Sequence, residues 1–243
     1  MPAAGYPTAK EKEIHMRNFA EIAFDLVYLI GVISVGFLMI KNNRAAQYKL
    51  FGIMAVILGA GDAFHLIPRA YALATTGLAS FTGLLGTGKL ITSITMTVFY
   101  VLLYYVWRSR YHIAGRDLLT IAVWCLAGLR IVLCLFPQNE WLSAVPPLSW
   151  GIYRNIPFAL LGLLIIVLFY TSAKEHTDTA FRWMWLTITL SFACYIPVVL
   201  WAQTLPAVGM LMIPKTCAYV WTVLIGYRSM KNQDKDEFIS ENS

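Results

Sequence analysis

The sequence predicts an all-α, polytopic bundle of seven transmembrane helices forming one domain, and three observations carry that prediction. Of its 243 residues, 58% are hydrophobic and only 13% are charged, with a mean hydropathy of +0.63; soluble domains run at about 25% charged. Apolar segments recur at 19–40, 50–68, 82–106, 118–136, 151–171, 183–202 and 207–227, each long enough for the ~20 residues that cross a hydrocarbon core. Basic residues then alternate by connection. Lys41, Arg44 and Lys49 follow the first segment, Arg108, Arg110 and Arg116 the third, and Lys174 and Arg182 the fifth, while the tail adds Arg228, Lys231 and Lys235. The opposite connections are nearly free of Lys and Arg.

By the positive-inside rule this asymmetry puts the N-terminus outside and the C-terminus in the cytoplasm of a cell (plasma) membrane. Lys10, Lys12 and Arg17 run against that orientation, but Glu11 and Glu13 accompany them. The net charge of +6 follows from topology, so no nucleic-acid partner is expected. The bilayer is the partner that composition demands, and the sequence does not fix an oligomeric state.

Residues 1–18 read as an outer tail or an interfacial helix, polar enough to exclude a cleavable signal peptide. Thr8 and Glu11 have capping-box spacing, and Ile14 and Phe19 are placed to touch lipid. The first spanning helix then carries Glu21, Asp25 and Tyr28 at i, i+4 and i+7, a single polar stripe. The second carries Asp62, His65 and Arg69 at i, i+3 and i+7, another such stripe. Pro68 and the Ala74-Thr75-Thr76-Gly77 run are expected to end it. Gly83, Gly86 and Gly88 crowd the start of the third helix and permit close backbone approach. Lys89 follows them, and Thr92, Ser93, Thr95 and Thr97 can bond back to helix carbonyls. Phe99, Tyr100, Tyr104, Tyr105 and Trp107 form an aromatic belt at the inner interface.

The fourth helix holds Arg130. The outer loop from Phe136 to Trp150 contains Pro137, Pro146, Pro147, Trp141 and Trp150, and as the longest outer connection it is the expected lid or rim. Tyr153-Arg154-Asn155 and Pro157 open the fifth helix. In the sixth, Pro197 follows Tyr195 and predicts a kink. The seventh carries Pro214-Lys215 about two turns in, with Tyr219 one turn deeper. The seven-helix domain thus spans 19–228, and the charged residues 229–243 read as a disordered cytoplasmic tail. Lys89 and Lys215 occupy similar places in the third and seventh helices, the mark of a parallel 3+1+3 repeat. Cys125, Cys134, Cys194 and Cys217 have no CxxC spacing and read as small buried hydrophobes.

Depth is the informative pattern. Asp25, Asp62, Lys89, Arg130 and Lys215 each lie about six to eight residues from an outer helix end, roughly 10 Å deep at 1.5 Å per residue. Glu21, His65 and Arg154 lie shallower, and the inner halves of the helices hold almost no ionisable residue. A charge facing lipid costs at least ~2.5 kcal/mol, and such residues usually line a bundle interior or a wet cavity. A polar cavity opening outward is therefore expected, formed by Glu21, Asp25, Asp62, His65, Arg69, Lys89, Arg130, Arg154, Lys215 and Tyr219. Three acids face five bases, which favours a small anionic or zwitterionic guest, or a lipid headgroup, for transport or sensing. A second reading is an intramembrane lipid hydrolase with Asp62, His65 and Asp25 as acid/base groups. A third is a structural or assembly subunit whose ion pairs tie helices together.

No metal site is expected, because His15, His112 and His176 lie far from His65. No cofactor is expected either. Retinal-binding proteins carry a Schiff-base lysine on the seventh helix, but the microbial ones place a carboxylate on the third, where this chain has Lys89. Gly61-Asp62 is similar to the Gly-Asp pair of lysoplasmalogenase-type multi-span enzymes, and two residues assign no family. There is no GxSxG and no P-loop.

Overall fold

The structure is a computed structural model and describes residues 9–41 and 45–241. Its seven α-helices are α1 (Ala9–Lys41), α2 (Ala46–Ala74), α3 (Thr82–Arg110), α4 (Asp117–Leu135), α5 (Leu148–Glu175), α6 (Met184–Trp201) and α7 (Met212–Glu241). Each contains a stretch long and apolar enough to cross a membrane. Short 3-10 turns at Leu78–Phe81, Pro137–Asn139 and Pro206–Leu211 join α2 to α3, α4 to α5 and α6 to α7.

Neighbouring helices run antiparallel. Along α1 and α2, Glu21 meets Arg69, Tyr28 meets Asp62, and Gly36 meets Gly52, so one index rises as the other falls. Between α6 and α7, Tyr195 meets Lys215 and Thr187 meets Thr222 in the same sense. This up-and-down order gives the bundle two ends. The near end holds the start of α1 and the α2–α3, α4–α5 and α6–α7 connections. The far end holds the other three connections and the end of α7.

The exterior is apolar, and the interior, itself largely apolar, also encloses polar groups. Leu26, Val27, Ile30 and Phe37 of α1, Leu118, Ile121 and Val132 of α4, and Leu163 and Val167 of α5 are all exposed. Thr97, Ser172, Thr187, Ser191 and Thr222 are buried. Thr97 and Thr222 satisfy their hydroxyls on the carbonyls of Ser93 and Ala218, one turn back, as lipid-immersed helices require. α3 lies innermost: Phe99, Tyr100, Leu103, Tyr104, Val106 and Trp107 are all buried. It packs on α2, α4 and α5, and Phe99 and Tyr100 reach Tyr219 of α7.

Several expectations are corrected. Pro68 does not end α2, which continues to Ala74. A proline deprives the carbonyl four residues back of its helical donor, here that of Phe64. That carbonyl lies where a Cβ on Gly88 of α3 would stand, so a glycine lets the freed oxygen approach the neighbouring backbone. α2 stops instead before Gly77, at φ +87°. Residues 9–18, expected as a tail or an interfacial helix, are helical and run without a break into the first span as α1, because nothing from Ala9 to Asn18 breaks a helix. Thr8 and the side chain of Ile14 lie outside the described residues. α7 likewise runs on to Glu241, since no Gly or Pro follows Gly226. It begins at Met212, so Pro214 and Lys215 stand in its first turn, where proline is tolerated. Of the cysteines, Cys134 is buried, whereas Cys125 and Cys217 are exposed on the apolar exterior.

Candidate functional site

The two polar stripes of α1 and α2 face each other. Arg69 donates from Nε to Glu21 Oε1, at the near end. About two turns deeper, the Tyr28 phenol donates to Asp62 Oδ2 at 2.6 Å. Asp25 sits between these levels, 8% exposed, with the charges of Glu21, Arg69 and Asp62 acting on it. Antiparallel packing explains the match: a stripe starting at Glu21 and climbing meets one that ends at Arg69 and descends.

Two further cations are buried in the bundle. Lys215 of α7 is 7% exposed and Arg130 of α4 only 2%. Among the described residues, ion pairs within 4 Å are Arg69–Glu21 and Arg110–Asp178, so neither buried cation has a carboxylate in contact. The Lys215 ammonium stands 5.0 Å from the ring centre of Tyr195 and 5.1 Å from that of Tyr219. Its charge interacts with Asp62 and with Arg130. The Arg130 guanidinium lies 3.2 Å over the Phe158 ring, and its Nε and Nη1 have no hydrogen-bond partner among the described residues. Cation–π contact contributes ~2 kcal/mol when desolvated, against a penalty of several kcal/mol for each buried ion. The ring and a side-chain hydrogen bond to Cys134 leave the cost of burying Arg130 partly unmet.

The remaining expected residues sit elsewhere. Lys89 is exposed; the charges that act on it are those of Arg69 and Arg154, not Lys215. The parity of Lys89 and Lys215 read from the sequence therefore does not extend to burial or to neighbours. His65 is half-buried, with Nδ1 3.3 Å from the Leu85 carbonyl, and the charges of Lys89, Arg69 and Lys215 act on it. Asp62 bonds to Tyr28 instead, so the two acid/base candidates have different partners.

Arg154 belongs to a clamp. Its Nη1 donates to Asn139 Oδ1 at 2.7 Å, and its guanidinium lies 4.2 Å over the Trp141 ring. Asn139 is fully buried and donates from Nδ2 to the carbonyls of Leu133, Cys134 and Phe136, at the end of α4. Trp141 Nε1 donates to Cys134 O, and its own carbonyl rests on Gly86 of α3. Gln203 Nε2 reaches Pro146 O. The loop expected as a lid is thus pinned at both ends and in the middle. Asn139 gave no warning in the sequence, since a polar residue in a Pro-containing loop reads as solvated.

The far end is stapled by a different pair. Arg110 grips Asp178 from Nε and Nη2 at 2.9 and 3.0 Å, and Tyr111 adds a third donor at 3.2 Å. Partial burial opposes ionisation of Asp178, but the bonds and charge of Arg110 outweigh it and hold the carboxyl below its ordinary range. A cleft of about 650 Å³ beside Arg108, Ser109, Arg110 and His112 also opens at this end.

No family model, curated protein or solved structure matches the chain. The class is therefore defined by fold alone: the seven helices read as those of a multi-pass, integral membrane protein.

Proposed function

We propose that the protein binds a small anionic or zwitterionic molecule between α4, α6 and α7, for transport or sensing, with the near end facing outward. The observation that carries this reading is Arg130, a buried guanidinium with two N–H-bearing nitrogens unpartnered among the described residues. Lys215 stands beside it with no carboxylate in contact. Buried charges are ordinarily paired, and intramembrane ones commonly mark a substrate or ion path. A carboxylate or phosphate group would satisfy both cations at once, whether it belongs to a free solute or to a lipid headgroup. The outward orientation of the near end rests on the basic connections of the far end.

The hydrolase reading is less well supported, because no hydrogen bond joins Asp62 to His65 among the described residues. Glu21 and Arg69 serve the proposed site by positioning α1 against α2.

The test is thermal unfolding of the purified protein in detergent against the sodium salts of acetate, glutamate and phosphate, with chloride as the ionic-strength control. A guest that binds the folded state alone stabilises it by mass action, ~2.7 kcal/mol at a hundredfold excess over its Kd. At least one probe should raise the melting temperature in a saturable way, and Lys215→Met should abolish the rise. No effect of any probe beyond that of chloride would overturn the reading.

A further inference from the structure

We propose that the near end opens into a water-accessible vestibule on the inner face of α3, where Lys89 and Arg154 form an entry site for small anions above the buried Arg130 and Lys215. The inference deepens the anion-site reading and rests on it for the destination of the guest. The helical register of α3 carries it. Met96, Tyr100 and Trp107 follow Lys89 at i+7, i+11 and i+18, so the four share one face. That face looks into the bundle. Tyr100 meets Phe158 of α5 and Phe192 of α6, its hydroxyl lies 3.5 Å from that of Tyr219 of α7, and Trp107 donates to Ser172 of α5. Met96, Tyr100 and Trp107 are buried accordingly. Lys89 is exposed on the same face. Contact with lipid does not account for that exposure, because the lipid side of α3 lies opposite. The bundle is therefore open at the level of Lys89 and closed from Met96 down, with Ser93 half-buried between them.

Contacts place the two cations of this vestibule. Helical side chains lean toward the N-terminus of their helix, so Lys89 leans outward, over the turn of Gly86. There the Trp141 carbonyl rests against Gly86, and the centre of the Trp141 ring lies 4.2 Å from the Arg154 guanidinium. Trp141 thus borders both cations, and their charges act on one another. Neither is neutralised. Lys89 has no carboxylate within 4 Å among the described residues, and the partners of Arg154, Asn139 and Trp141, are uncharged. Arg154 Nε and Nη2 hold no hydrogen bond among the described residues and are not enclosed, which leaves them open to a ligand. Arg69, whose charge also reaches Lys89, is paired with Glu21. The floor of the vestibule is Tyr100, roughly 16 Å below Lys89 at about 1.5 Å per residue. Its ring touches Phe158, over which Arg130 lies, and its hydroxyl meets Tyr219, which flanks Lys215. A cleft of one charge sign with low-dielectric walls concentrates counter-ions and raises their association rate. Lys89 and Arg154 collect the anion that Arg130 and Lys215 hold.

The experiment is thiol labelling of single-cysteine variants in membrane fragments open to both faces. Cys125, Cys194 and Cys217 are replaced by alanine and buried Cys134 is kept, with this background protein as the blank. The reagents are the anionic sulfonatoethyl and the cationic trimethylammonioethyl methanethiosulfonate, both water-soluble, and each rate is divided by that of a free thiol. Thr87 lies about 200° around α3 from Lys89, exposed on the lipid side and closer to the near end. Lys89→Cys should therefore react and Thr87→Cys should not, although depth alone would favour Thr87. With Lys89 itself removed, Arg154 sets the charge preference. The anionic reagent should react at least about tenfold faster than the cationic one, within the range of electrostatic focusing. Adding Arg154→Gln should bring the two rates together, and Arg154→Lys should keep them apart. An inert Lys89→Cys, or a Thr87→Cys that reacts as fast, would overturn the vestibule. Equal rates for the two reagents in Lys89→Cys, or a preference that survives Arg154→Gln, would overturn the entry site. If Arg154→Gln fails to fold, the two single-cysteine variants decide. No label needs a guest in the deep site, so failure here is distinct from failure of the anion-site reading, which thermal unfolding decides.

Discussion

The Tyr28 phenol of α1 donates a 2.6 Å hydrogen bond to Asp62 of α2, at the level where Lys215 acts across from α7. One hydroxyl thus ties the two acid-bearing helices together and fixes which way the Asp62 carboxylate points. Intramembrane hydrogen bonds contribute modestly, because unfolded helices in a membrane also find partners. Tyr28→Phe should therefore cost ~1 kcal/mol of stability in detergent unfolding. A loss of several kcal/mol would mean that the phenol holds more than this one bond.

Asn139 closes the end of α4 with three carbonyl contacts and receives Arg154. Asn139→Ala takes this partner from the Leu133 carbonyl and from Arg154 Nη1, while Cys134 O keeps Trp141 Nε1 and Phe136 O keeps the backbone N–H of residue 139. An unsatisfied buried group costs about 1–3 kcal/mol. The melting temperature should fall, and protease should cut the 140–147 loop sooner than in wild type. Unchanged cleavage would show that the loop does not depend on the clamp.

Glycine substitutions should separate packing from propensity. A Cβ on Gly88 would collide with the Phe64 carbonyl, and backbone cannot yield as a side chain can. Gly88→Ala should force α2 and α3 apart and sharply lower the yield of folded protein. Gly128 of α4 has open space at the same position, so Gly128→Ala should be neutral or stabilising by up to ~1 kcal/mol. Equal effects at the two sites would contradict the packing described.

The Arg110–Asp178 staple makes a pH prediction outside the membrane spans. The folded protein holds the Asp178 carboxyl below its ordinary range. The unfolded chain therefore binds a proton there first as pH falls, and stability falls with it. The contribution is full above about pH 4, the ordinary Asp value, and fades as pH drops through the folded value. Melting temperature measured from pH 6 to pH 3 should fall less steeply in Asp178→Asn than in wild type. Parallel curves would remove Asp178 from the acid response.

How much of this was legible in the sequence depended on whether a signal was local. Seven apolar runs and two polar stripes are local patterns, so the spans and the Glu21–Arg69 and Tyr28–Asp62 faces could be anticipated. The placement of Arg130 well inside α4 was legible from distance to the helix end, whereas Lys215 is buried although it stands in the first turn of α7. Whether those cations have partners was not legible, because that depends on which side chains six other helices bring to the same point. Arg154 shows the failure most clearly. Its depth matched the site, yet a single buried asparagine fifteen residues earlier drew it into a clamp. Pro68 read as a helix end because the compensating Gly88 lies on another helix.

The central claim is that Arg130 belongs to an anion-binding site rather than acting as a structural strut, and one substitution tests it directly. Arg130→Met keeps much of the side-chain volume and removes the buried charge together with its unpartnered N–H groups. Replacing buried charge by apolar groups of similar size is often neutral or stabilising, whereas breaking a satisfied buried pair costs about 3–5 kcal/mol. The measurement is the melting temperature of Arg130→Met beside wild type, without and with the stabilising probe. The account predicts an unchanged or higher melting temperature without the probe, and no further rise when it is added. A large loss of stability with the probe response intact would contradict it.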